Sequence, residues 1–291
     1  MDTEPMVRDA TVTLDGVGFH YRDWGEPTAP AVVLLHAYLQ HARTWDTVAT
    51  GLADRFRVLA LDQRGFGESE WAADYHELRL VADLAEFVDA LELGTFSLVG
   101  FSIGGSAAIT YAQLYPERVQ RLVAFECFTD PDVAEEAPYR HTMLTHLSRL
   151  RSLPETFAAP DEAVAAFRPL APYAAEEELR HWMLGGLKQQ PDGRWIWRYD
   201  PIFRTPASLP GRLNADPDVL AARMAGVRCA TLLLAGEESW MVEPTQRMLT
   251  RNPQARMTTV PQAGHWIPLD NPNGFLEVVK PFLTNEGGTG R

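Results

Sequence analysis

The sequence predicts an α/β fold, a mostly parallel sheet with helices on both of its faces. Two observations lead there. Short all-apolar runs alternate with helix-forming stretches along most of the chain, and short connections between them require right-handed crossovers between parallel strands. A third observation bounds the first, because the alternation stops near residue 131 and resumes only after residue 210. At 291 residues the chain is long enough for one large core or two smaller ones.

The hairpin comes first. Residues 11–21 alternate apolar and polar side chains around Asp15-Gly16, the pattern of a β-hairpin. After a Pro/Gly-bearing loop at 25–30, residues 31–35 are apolar throughout, as a strand covered on both faces must be. A helical segment near 45–53, a strand at 56–61, a helix at 75–91 and a strand at 96–99 continue the pattern, and then come a helix to Tyr115 and a strand at 119–125. Between Pro131 and Pro210 only helical periodicity is visible, at 140–150, 161–167 and 176–187, and then the turn Pro191-Asp192-Gly193. This stretch is expected to be an inserted helical cap. The α/β pattern resumes with a helix at 217–224, strands at 229–235 and 255–260, and a last helix at 274–283. The expected division is thus a core over 1–130, the cap over 131–212, the rest of the core over 213–285, and a Gly-rich flexible tail at 286–291.

Charge and composition exclude some functions. The formal net charge is -13 and no Lys/Arg run offsets it, so nucleic acid is not an expected partner. The first ten residues lack the cationic start and apolar core of a signal peptide, and no stretch approaches the roughly 20 apolar residues needed to span a bilayer. A cytoplasmic protein, monomeric or homodimeric, is expected. Cys127 and Cys229 each sit in or beside an apolar run, which fits buried free thiols better than a disulfide.

Gly100-Phe101-Ser102-Ile103-Gly104 joins a strand to a helix. In such a junction the serine backbone is forced into a strained turn, and only small residues two places before and after it avoid collision. The motif marks Ser102 as a nucleophile. A serine hydroxyl needs a base within hydrogen-bond reach and a third group to hold the base's tautomer. His265 is the candidate base, on the loop between the last strand and the last helix, while His20, His41, His76, His141, His146 and His181 lie on less suitable segments.

With these residues assembled, the chain resembles an α/β-hydrolase-fold enzyme over almost its full length. The resemblance rests on Leu34-Leu35-His36-Ala37-Tyr38, on residues 62–69 (DQRGFGES), on the elbow at Ser102 and on Ala263-Gly264-His265-Trp266. It implies an oxyanion hole built from the backbone N–H groups of Tyr38 and Ile103. Ala37 stands where the family usually has glycine. The resemblance makes His36 a loop-ordering residue that borders the pocket, and makes residues 62–69 a structural turn.

The chain departs from the family at the acid. Members usually carry it just after the strand before the histidine strand, where this sequence reads Gly236-Glu237-Glu238-Ser239-Trp240, with serine or tryptophan in the acid's place according to register. Two candidates remain. Glu126 ends the apolar strand at 119–125, where a buried carboxylate needs a partner such as an imidazole, and some family members place their acid there. Glu238 is the competitor, close to the usual position. Glu126 is the preferred assignment.

The cap is rich in aromatic residues, Trp182 among them, and Trp240 and Trp266 flank the catalytic loops, which suits a hydrophobic or aromatic substrate. The expected activity is hydrolysis of a carboxylic ester or lactone without metal or cofactor. Carbon-carbon bond hydrolysis or thioester hydrolysis on the same residues, a cofactor-independent dioxygenase with a His-Glu dyad, and a non-catalytic binding protein are the alternatives.

Overall fold

In the computed structural model the described residues are 7–127, 137–205 and 223–286. A hairpin opens the chain, β1 (Arg8–Leu14) and β2 (Val17–Trp24), and its turn residues Asp15 and Gly16 both take positive φ. That geometry matches the twist of the flanking strands. Next along the chain are β3 (Ala31–Leu35), α1 (Asp46–Leu52), β4 (Arg57–Leu61), α2 (Glu77–Ala90), β5 (Phe96–Phe101), α3 (Ile103–Leu114) and β6 (Val119–Phe125).

The middle of the chain forms α4 (Ala137–Arg151), β7 (Thr156–Phe157), α5 (Pro160–Phe167), α6 (Glu176–Gly185), β8 (Leu187–Gln189) and β9 (Trp195–Trp197). The last part carries β10 (Ala230–Gly236), α7 (Val242–Met248), β11 (Arg256–Val260), a short α8 (Ile267–Asp270) and α9 (Pro272–Thr284).

The first six strands and the last two form one eight-stranded sheet in the order β1-β2-β4-β3-β5-β6-β10-β11. Pairing is antiparallel between β1 and β2 and between β2 and β4, and parallel from β4 to β11. The uninterrupted apolar runs are explained by the two faces. Val32, Leu34, Val99, Phe101, Val123, Phe125, Leu232 and Leu234 point to one face, against α1 and α9. Val33, Leu35, Leu98, Leu122, Ala124 and Leu233 point to the other, against α2 and α3. A period of two with both sets buried leaves no polar position in the strand.

Between β6 and β10 helices alone were expected. The structure adds a small antiparallel sheet, order β7-β9-β8, whose hairpin turn bonds Gln190 N–H to the Arg194 carbonyl at 2.7 Å and carries Gly193 at φ +87°. Strands of two or three residues are too short to display the alternation that reveals a strand in sequence. The buried side chains of this segment, including Leu150, Phe157, Phe167 and Trp182, join the same apolar cluster as the α1/α9 face of the main sheet. The expected boundaries near 131 and 212, most of the expected helix at 217–224, and the tail beyond residue 286 lie outside the described residues. Both cysteines are free, Cys127 buried and Cys229 only partly so, because Cys229 precedes the strand it was expected to start.

The turn after β4 is structural, as expected. The Asp62 carboxylate accepts from Ala42 N–H at 2.5 Å and Glu68 N–H at 2.9 Å and meets His20 Nδ1 at 2.7 Å. A Cβ on Gly67 would lie 2.2 Å from that carboxyl carbon. Arg64 is spent in a buried ion pair with Asp83.

Candidate active site

Ser102 stands between β5 and α3 with φ 53° and ψ -113°, a backbone state that a side chain adopts only under constraint. The constraint is visible. Ser102 N–H donates to the Phe125 carbonyl at 3.0 Å, and Ser106 N–H closes the first turn of α3 on the Ser102 carbonyl at 3.0 Å. A Cβ on Gly100 would sit 2.4 Å from the Gly104 carbonyl oxygen, and one on Gly104 would sit 2.5 Å from the Leu35 oxygen and 2.7 Å from that of His36. The two glycines therefore let the elbow fold on itself and let the loop after β3 lie against it.

His265 lies between β11 and α8 in a loop fastened at several points. Glu237 N–H donates to the Val260 carbonyl at 2.9 Å, Glu238 N–H to that of Ala263 at 3.0 Å, and Gly264 N–H to Asp270 Oδ2 at 2.9 Å. Gly236 permits the approach, since a Cβ there would be 2.2 Å from the Gly264 oxygen. The end of β10 is thus zipped to the histidine loop, directly beside the end of β6.

There Glu126 takes φ 52° and turns its carboxylate under His265. Its Oε2 lies 2.9 Å from His265 Nδ1 and accepts from the Ser239 hydroxyl at 2.6 Å, while Oε1 accepts from Gly236 N–H at 2.8 Å. Because a carboxylate oxygen faces Nδ1, that nitrogen carries the hydrogen and Nε2 is left with its lone pair. The carboxylate is wholly buried, and the imidazole nearly so. Burial pushes the Glu126 carboxyl up, against the pull of the hydrogen bonds from Ser239 and Gly236, and pushes the His265 imidazole down. Both shifts have one cause, the loss of water around an ion. A neutral imidazole is the form that can accept a proton.

Glu238, the competing acid, is exposed, and its side chain makes no hydrogen bond or ion pair with the described residues. His36 is fully buried, its Nδ1 donates to the Ala37 carbonyl at 2.8 Å and its Nε2 accepts from Gln63 N–H at 3.0 Å, so it pins the ends of β3 and β4 together. Leu39, not Ala37, carries the left-handed backbone of this loop, at φ 60°. The Tyr38 hydroxyl donates to the Phe203 carbonyl, tying the loop to the segment above the sheet.

Aromatic rings surround His265. Trp266 lies edge-on at 5.1 Å between ring centroids, Trp240 is stacked at 6.2 Å, and Phe101, next to Ser102, is at 5.3 Å. Trp182 is one wall of a cavity that also touches Leu39, His41, Leu150, Phe167 and Met183. Phe167 packs on Trp266 at 5.3 Å, which links that cavity to the histidine loop.

Two residues near His265 are not evident from the sequence. The ring of His146, on α4, lies edge-on to His265 at 4.8 Å, and burial holds it down to about 3. Its place one helical turn before buried Leu150 was the available signal. Ser239 stands out in the sequence only as an absence of acid. Among the described residues no cluster of His, Cys, Asp and Glu could hold a metal, and no helix is long and apolar enough to cross a membrane.

This arrangement has relatives. The Mycobacterium tuberculosis esterase Rv0045c is 32% identical over 272 residues, 89% of this chain and 84% of its own, and its crystal structure superposes with a TM-score of 0.78 at 28% identity, over 98% of this chain and 93% of that one. The sn-1-specific diacylglycerol lipase ABHD11 of Mus musculus is 29% identical over 89% of this chain and 82% of its own. E-2-(Acetamidomethylene)succinate hydrolase shares the fold, with a TM-score of 0.83 at 21% identity over 96% of this chain and all of that one. Residues 30–272 match the family described as alpha/beta hydrolase fold, and so the chain belongs to the α/β-hydrolase family and is a hydrolase.

Proposed function

We propose that the protein cleaves a carboxylic ester or lactone of a hydrophobic or aromatic small molecule through an acyl-enzyme. The observation that carries the reading is the buried Glu126–His265 pair at 2.9 Å, with Phe101, the residue before the strained Ser102 at φ 53°, 5.3 Å from the imidazole. In this scheme Ser102 Oγ attacks the carbonyl carbon as His265 Nε2 takes its proton, and Glu126 stabilises the imidazolium that forms. The backbone N–H groups of Tyr38 and Ile103 face the oxyanion. His265 then returns the proton to the departing alkoxide, and water repeats the sequence on the acyl-enzyme. Residues 131–212 act as a cap whose aromatic side chains, with Trp240 and Trp266, line an apolar substrate site. The esterase and lipase relatives support this chemistry, as does the serine, because a carboxylate nucleophile would be needed to open an epoxide through an alkyl-enzyme ester.

A panel of p-nitrophenyl esters, thioesters and aromatic lactones, run with wild type and Ser102→Ala, tests the proposal, together with labelling by a fluorophosphonate. Ester or lactone turnover and probe labelling are expected in wild type and are expected to vanish in Ser102→Ala. Ser102→Ala that retained turnover, with dioxygen consumed, would instead make the His-Glu dyad the working unit of an oxygenase. An unlabelled wild type that binds ligand without turnover would make the protein a receptor.

A further inference from the structure

Ser239 occupies the stretch in which an acid was sought, and its hydroxyl is committed. It accepts from Met241 N–H at 3.1 Å, so its single hydrogen is directed to Glu126 Oε2 at 2.6 Å. That oxygen is the one facing His265 Nδ1 at 2.9 Å. The other carboxylate oxygen is held by Gly236 N–H at 2.8 Å. Three donors therefore fix the rotation of a carboxylate closed off from solvent, and the side chains of Ser239 and His265 converge on a single oxygen atom. Among the described residues, His146 from α4 lies edge-on to His265, and the Asp270 carboxylate from α8 accepts from Gly264 N–H.

We infer that Ser239 is a positioning residue for the acid. The inference rests on the proposed triad. Donation from Ser239 favours the ionised form of Glu126, so it sets the proton affinity of the Glu126–His265 pair as well as the direction in which Oε2 faces.

Three variants, Ser239→Ala, Ser239→Thr and Glu126→Gln, are compared by the pH profile of kcat and kcat/KM on a p-nitrophenyl ester, with a thermal melt of each. Ser239→Ala is expected to lose about tenfold to a hundredfold in kcat at nearly constant KM, the scale of a hydrogen bond to a charged group. Its acid limb should move to higher pH, because the pair binds its proton more tightly without that donor. Ser239→Thr keeps the hydroxyl and should keep both the rate and the limb.

A wild-type rate and limb in Ser239→Ala would overturn the positioning role, and a lowered melting temperature alone would reduce the residue to a turn former ahead of α7. Failure of the underlying triad looks different: Glu126→Gln would itself then turn over normally.

Discussion

Glu126→Gln removes one charge and keeps the shape of the side chain, and its cost is set by the surrounding donors. On one side of the carboxylate stands the backbone N–H of Gly236 at 2.8 Å, which cannot turn away; on the other stand the Ser239 hydroxyl and His265 Nδ1. If the amide nitrogen faced Gly236, two donors would oppose each other in a site closed to solvent, at about 1–3 kcal/mol. If it faced His265, the imidazole would have to present a bare Nδ1 and carry its hydrogen on Nε2, the nitrogen that accepts from Ser102 in the proposed scheme. Either way the imidazolium loses its counter-charge. Amide replacement of a triad acid that leaves geometry intact costs about 10⁴ in kcat, or about 5 kcal/mol at roughly 1.4 kcal/mol per tenfold. Glu238→Gln, on an exposed side chain, should stay within about ±0.5 kcal/mol, or about twofold in rate. Initial rates on a p-nitrophenyl ester, with thermal melts to establish folding, measure both. Folded Glu126→Gln that kept more than about a tenth of wild-type kcat would refute the reasoning.

The packing and the buried charges lead to two further outcomes. Gly104→Ala puts a methyl 2.5 Å from one backbone oxygen and 2.7 Å from the next, in strand ends that cannot give way. It should cost about 1–3 kcal/mol and lower the melting temperature by several degrees, whereas Gly94→Ala, with nothing within 4 Å of its added methyl, serves as the control and should not. For His20, burial opposes the charge, but Asp62 at 2.7 Å, helped by Glu68 and Asp9, outweighs it and holds the imidazole above 6.5. The stability this contributes is fully present below the unfolded value of 6.5 and is lost as pH rises through the raised folded value. Denaturation at about pH 5.5 and about pH 9 should therefore show a larger penalty for His20→Gln in acid, and equal penalties would sink the assignment.

Much of the fold was legible because its signals are local. Strands β3, β5, β6 and β10 are apolar on both faces, and the elbow carries glycines whose absent side chains are demanded within one turn. His265 was legible from its place between the last strand and the helical end of the chain. The three-stranded sheet of β7, β8 and β9 was not, because two or three residues cannot display a period. Nor was the contact of His146 with His265, which depends on how α4 lies across the histidine loop.

The sequence by itself determined the α/β class, Ser102 and its small neighbours, and a short list of carboxylates, since each depends on residues adjacent in the chain. Only the tertiary structure shows which of Glu126 and Glu238 meets His265. The parallel neighbours β6, β10 and β11 bring residues 126, 239 and 265 to one edge of the sheet. The positive φ at Glu126 then turns its carboxylate inward, to the three donors that a buried charge requires, while Glu238 remains in water.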